Sequence, residues 1–201
     1  VMVYGGGTLH ICDCQGSGLI RATSPEKTDK GAVVLISSSK ENGFGTVNLY
    51  SGTVSGDSGA ETSPDCRAVE VKGGVFNMYG GTLKQGLSDG SLPTDQKIGY
   101  GGSVCVYKHA DYEGRFTMYG GTITGGISSD YGGNIYGDVS SHIAIFGGIV
   151  ENGSSTRGGN IYCQGDVTLD GATFTGGTAS LYRGNVYIAG TVDLSKNTVL
   201  S

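Results

Sequence analysis

Phe76-Asn77-Met78-Tyr79-Gly80-Gly81-Thr82-Leu83 returns further along the chain as Phe116-Thr117-Met118-Tyr119-Gly120-Gly121-Thr122-Ile123. Each phrase is an apolar alternation, an aromatic residue, a glycine pair, a Thr and one more apolar residue. Weaker copies run from Val1 to Leu9, Val47 to Val54, Ile143 to Val150, Val167 to Phe174 and Val192 to Val199. Self-similarity at a period of about 20–50 residues marks a solenoid, a propeller or an array. Alternation puts every second side chain on one face of a strand, and paired glycines make a tight corner between strands.

Three inward files emerge when the copies are aligned. File B precedes the glycines: Val1/Val3, Val47/Leu49, Phe76/Met78, Phe116/Met118, Ile143/Ile145, Val167/Leu169 and Val192/Leu194. File C follows them, at Leu9, Val54, Leu83, Ile123, Val150, Phe174 and Val199. File A precedes B, at Val34/Ile36, Val69/Val71, Val104/Val106, Ile135, Ile161 and Val186/Ile188. The B-to-B spacing is 29, 40, 27, 24 and 25 residues from Val47 onward. A propeller blade needs four strands, and a leucine-rich repeat needs a helical half that this glycine-rich pattern does not offer. The sequence therefore predicts an all-β, right-handed, single-stranded parallel β-helix of six to seven coils with three short strands each. At a strand spacing of about 4.8 Å the rod is roughly 30 Å long.

The 201 residues form one expected β-helix domain, loop-rich over 1–115 and lean over 116–201. Neither end reads as a polar cap, so the expected context is a longer chain whose neighbouring domains would be the first partners. Thirty-nine glycines without a triplet period, and only three prolines, exclude collagen. A formal charge of −5 with no run of Lys or Arg argues against nucleic acid as partner. No apolar stretch approaches a bilayer span, so membrane insertion is not expected either.

Gly133-Asn134-Ile135-Tyr136, Gly159-Asn160-Ile161-Tyr162 and Gly184-Asn185-Val186-Tyr187 alternate with the Tyr-Gly-Gly-Thr phrase. This combination resembles the glycine-rich right-handed β-helix repeats of large bacterial surface proteins, adhesin-like and of the Firmicutes type. The resemblance covers nearly the whole chain. It implies an extracellular or wall-attached stalk or adhesin touching a glycan or a host surface protein, with no cofactor and no metal.

Alignment also stacks outward residues. Tyr4, Tyr50, Tyr79, Tyr119 and Phe146 share one position after file B and are the candidate binding residues, as a platform for sugar rings. The competing reading is ring stacking that stabilises a corner. Asn134, Asn160 and Asn185 form an amide ladder, and Tyr136, Tyr162 and Tyr187 a second aromatic column; both read as packing. A Thr file, Thr8, Thr53, Thr82, Thr122, Thr173 and Thr198, is broken at Ile149.

Long C-to-A connections are expected in the first three coils, and long A-to-B connections at Ser37 to Thr46 and Tyr107 to Arg115. Insertions on one face of a repeat protein commonly make its binding face. Of the five cysteines, Cys163 falls on an inward position. Cys12, Cys14 and Cys66 fall in loops, so a bridge from Cys12 or Cys14 to Cys66 is the expected disulfide. Cys12-Asp13-Cys14 lacks the second ligand pair of a zinc site. The alternative function is a polysaccharide lyase or glycoside hydrolase. Hydrolysis needs two carboxyl groups held about 5–10 Å apart. The acidic residues Asp13, Glu26, Asp29, Asp57, Glu61, Asp65, Asp89 and Asp95 are scattered, and His10, His109 and His142 sit at unrelated points of the coil. A purely structural filament or spacer is the third reading.

Overall fold

The computed structural model describes residues 1–21, 32–56, 66–84, 99–182 and 184–201. Three parallel sheets of seven coil strands each run along the molecule, and no helix occurs among the described residues. Each coil contributes one short strand to each sheet, so the chain is a three-sheet parallel β-helix of seven coils. Sheet A contains Met2–Val3, Val34–Ser39, Val69–Lys72, Val104–Tyr107, Ile135–Gly137, Ile161–Cys163 and Val186–Ile188. Sheet B runs from Thr8–Ile11 through Thr46–Leu49, Val75–Met78, Arg115–Met118, His142–Ile145 and Asp166–Leu169 to Val192–Leu194. Sheet C runs from Leu19–Arg21 to Val199–Leu200.

The predicted files meet in register over the interior coils. Val47, Phe76, Phe116, Ile143 and Val167 are successive partners, as are Leu49, Met78, Met118, Ile145 and Leu169. All ten are buried, and the Phe76 and Phe116 rings stack inside the cylinder with centroids 5.3 Å apart. Burial of the lining depends on having a coil on both sides. In the last coil Val192, Leu194 and Leu200 are about half exposed, at 48%, 53% and 48%. The energy of the fold therefore lies between coils rather than within them.

Glycine is obligatory where corners stack. Gly81 and Gly121 have φ of +82° and +94°, and a Cβ on either would lie 2.7 Å from the Gly52 oxygen or 2.6 Å from the Gly81 oxygen. No L side chain fits between corners at that spacing.

The two ends depart from the expected alignment. Val3 pairs with Ile36 in sheet A, whereas Leu9 and Ile11 pair with Val47 and Leu49 in sheet B, and Ile20 supplies the first sheet C position opposite Val54. Val1 to Leu9 is thus an A-to-B passage, not a B-to-C one. Thr8 accordingly leaves the Thr file. In the last coil an extra residue puts Leu200, not Val199, opposite Phe174, so Thr198 leaves it too.

Three connections leave sheet C after Arg21, Ser55 and Lys84 and re-enter sheet A from Val34, Val69 and Val104. The expected loop face at this corner, with Glu26, Asp29, Asp57, Glu61, Asp65, Asp89 and Asp95, lies outside the described residues.

Candidate functional site

The aromatic column is present and shorter than expected by one ring. Tyr50, Tyr79, Tyr119 and Phe146 stack with centroids 4.9, 5.0 and 5.6 Å apart and interplanar angles of 7°, 7° and 25°. His10 stacks on the free side of Tyr50 at 5.9 Å. Tyr4 does not join it, because the first coil is shifted; Cys12 follows Ile11 at the equivalent position, and the backbone N–H of Tyr50 donates to the Ile11 oxygen. Nearly parallel rings one strand apart cover each other's faces, leaving edges and hydroxyls outward. A sugar packs its C–H face on an open ring face, and the inner rings of this column present none. Its geometry is that of a corner stack.

The amide ladder reads as expected. Asn160 Nδ2 donates to the Thr175 and Val150 oxygens at 2.9 and 3.0 Å and to Asn185 Oδ1, while its Oδ1 accepts from Asn134 Nδ2 at 2.6 Å and the Gly153 N–H at 2.9 Å. Tyr136, Tyr162 and Tyr187 also stack, at 6.0 and 5.1 Å. They lie under a further layer absent from the sequence reading, in which Ser154–Arg157 pairs with Thr178–Tyr182 and the Arg157 guanidinium sits over the Tyr131 and Tyr182 rings at 5.1 and 5.2 Å. Burial raises the Tyr162 hydroxyl above its ordinary pKa.

The disulfide joins Cys66 to Cys105, correcting the expected bridge from Cys12 or Cys14 to Cys66. Cys105 stands in register with Tyr136 on the outer side of sheet A, next to the corner where Cys66 re-enters. Cys12 and Cys14 are free and exposed because the shifted first coil places them at the B-to-C corner. There Asp13 closes the loop, its carboxylate accepting the Gly18 and Gln15 N–H groups at 2.5 and 2.9 Å, bonds that hold its pKa below the ordinary carboxylate value. Cys163 is free and buried, as expected, and burial pushes its thiol pKa up. Among the described residues no group of three or more His, Cys, Asp or Glu could hold a metal ion.

Chemistry with open faces gathers instead at the A-to-B corner. The insertions of coils 2 and 4 reach across coil 3, which turns there through Gly73 and Gly74. Gly43–Phe44 folds back antiparallel on Ser38 and Ser39, and His109 and Tyr112 exchange backbone hydrogen bonds at 3.0 and 3.1 Å. The two loops then grip each other. The Ser38 hydroxyl donates to the His109 oxygen at 3.1 Å, Lys40 lies 3.5 Å from Asp111, and the Phe44 and Tyr112 rings meet edge to face at 5.7 Å. A Cβ at Gly73 would lie 2.6 Å from Ser38 Oγ and 2.8 Å from the His109 and Tyr112 oxygens, so glycine lets both loops close down. Ala110, at the tip, carries a φ of +54°, a strained value for a non-glycine residue.

This clasp overhangs the outer face of sheet B. Glu113 accepts from His142 Nε2 at 2.7 Å and lies 3.4 Å from Arg115 Nη2, while His142 Nδ1 lies 3.5 Å from Asp166. Arg115, His142 and Asp166 are register partners, so the hairpin is tied to the two coils beyond it. Under the clasp is a concavity of about 260 Å³ lined by Phe44, Val75, Asp111, Tyr112, Glu113 and Arg115. On the other side of the hairpin, Lys72, Tyr107, Lys108, His109 and Asp138 line a second, about 360 Å³. The sequence signal for both was the length of the two A-to-B connections; the meeting of His142 with Glu113 had none. No family model, no curated protein and no solved structure matches this chain.

Proposed function

We infer that the chain is a non-catalytic β-helix module of an extracellular or wall-attached surface protein, a stiff stalk that meets a glycan or host surface protein through its loop-bearing N-terminal half. The observation that carries this reading is the one-sided ornament. Coils 5 to 7 are lean, whereas the clasp and the three long C-to-A connections all belong to coils 1 to 4. A rigid lattice of inter-coil strands with adhesive loops near one region suits a surface rod. The Cys66–Cys105 disulfide supports an oxidising compartment.

The test is a glycan array and a host-surface extract, each followed by a product assay on every binder. Binding without turnover is the expected result. New reducing ends or unsaturated products would replace it with the polysaccharide-active reading, and no binder in either format would leave a spacer or filament.

A further inference from the structure

We propose that the concavity under the clasp binds one neutral pyranose residue of a surface glycan. This rests on the adhesive reading above and gives it a place and a ligand class. Ligand pockets for drug-sized molecules span about 300–1,000 Å³; at about 260 Å³ this one holds a single ring rather than an oligomer. Its aromatic wall differs from the stacked column in the feature that matters. Phe44 is 43% exposed and touches Tyr112 at an interplanar angle of 62°, so ring face remains open to the concavity. A pyranose offers an apolar C–H face for such a wall and a rim of hydroxyls that both donate and accept. The polar lining matches that rim, with Asp111 and Glu113 as acceptors and Arg115 as donor.

Charge decides between neutral and acidic sugars. Asp111 is paired with Lys40, and Glu113 with Arg115 and His142. Two carboxylates against two permanent cations leave no net field to attract a uronate or sialate, and a charged ligand would have to displace an existing pair. A neutral polyol uses the remaining donor and acceptor capacity without doing so. The wall is also pre-set: the His109–Tyr112 exchange and the Ser38 contact fix the hairpin before any ligand arrives, which lowers the entropic cost of binding.

The test uses the full 201-residue chain, ¹⁵N-labelled, titrated with glucose, galactose, mannose and N-acetylglucosamine, and separately with glucuronate and N-acetylneuraminate. The expected result is saturable shifts at the amides of Phe44, Val75 and Asp111 to Arg115 with at least one neutral sugar and none with the acids. Phe44→Ala and Arg115→Met, both at exposed positions, should each weaken binding at least tenfold while preserving the rest of the spectrum. The proposal is overturned if no neutral sugar moves these amides, if only the acidic sugars do, or if the shifts fall on Tyr50, Tyr79 and Tyr119. An array binder retained in full by both variants would sink this site while leaving the adhesive reading standing.

Discussion

Replacing Asn160 with Ala should be among the most damaging single changes in the molecule, although it removes no apolar surface. The side chain is fully buried and serves three backbone groups, the Gly153 N–H and the Val150 and Thr175 oxygens, besides its two ladder neighbours. The Thr175 oxygen keeps the Asn152 N–H at 3.1 Å, whereas the Gly153 N–H loses its acceptor and the Val150 oxygen loses a donor. A buried group left unpaired costs about 1–3 kcal/mol, and a lost hydrogen bond about 1 kcal/mol. The neighbours lose less, because Asn134 Nδ2 keeps the Glu151 oxygen at 2.8 Å and Asn185 Nδ2 keeps the Ser201 oxygen. A cost of about 2–4 kcal/mol follows, and at a urea slope of about 2 kcal/mol/M the midpoint falls by roughly 1–2 M. Asn160→Asp keeps the acceptor oxygen but turns the other oxygen toward the Val150 and Thr175 oxygens, so it should do no better than Ala. Asn185→Ala, nearer the surface, should cost much less. Urea unfolding followed by far-UV circular dichroism on the three variants decides the matter. A midpoint for Asn160→Ala within about 0.5 M of the parent, equivalent to about 1 kcal/mol, would refute the ladder as the fastener of the lean coils.

Native protein treated with a maleimide should take up two labels, on Cys12 and Cys14, with Cys163 reacting only on unfolding; mass spectrometry of the intact chain reads this directly. Because burial raises the Cys163 thiol pKa, the unfolded chain releases that proton first as pH rises. The contribution is complete below the unfolded thiol pKa and is lost as pH climbs through the folded one, so Cys163→Ala should flatten the alkaline decline in melting temperature. Replacing both Cys66 and Cys105 by Ala opens a loop of 39 residues and should cost about 4 kcal/mol by the chain-entropy account, read as a lower melting temperature that reductant no longer changes. Ala110→Gly should stabilise by about 1 kcal/mol by relieving the positive φ at the clasp tip, whereas Gly81→Ala should destabilise by more than that, both measured by urea unfolding.

The interior of the cylinder was legible because its period is written in residues that have nowhere else to go. Phe76 and Phe116, or Met78 and Met118, align by eye and are partners in register. The first coil was misread for a physical reason: an apolar alternation followed by glycines describes any corner of this fold. Val3-Tyr4-Gly5 looks like a B-to-C corner, and only its hydrogen-bonded partner, Ile36 rather than Val47, reveals an A-to-B one. That single shift carried Tyr4 out of the aromatic column, Thr8 out of the Thr file, and Cys12 and Cys14 away from Cys66. The sequence carries no signal for Cys105 as a bridge partner, because it stands between inward Val104 and Val106 and alternation alone does not show that an outward side chain can be covered by a further layer.

A repeat that stacks its copies one strand apart also limits where recognition can arise. Any aromatic placed at the same position of successive coils is forced face to face with its own copy, as Tyr50, Tyr79 and Tyr119 are at 4.9 and 5.0 Å. The column gains stability, and each inner ring covers part of its neighbours' faces. Outward polar residues in register meet a similar fate, seen in the contact between His142 and Asp166. Open ring faces and unpaired rims must therefore come from places where the period is broken. Phe44 and Tyr112 satisfy that condition because they belong to insertions in coils 2 and 4, with coil 3 reduced to Gly73 and Gly74 between them. The lean turn is as necessary as the two loops: a third insertion would occupy the space in which they meet. The same reasoning directs substitutions meant to alter ligand choice to residues 38–46 and 107–115, since changes in the repeated columns act first on how one coil holds the next.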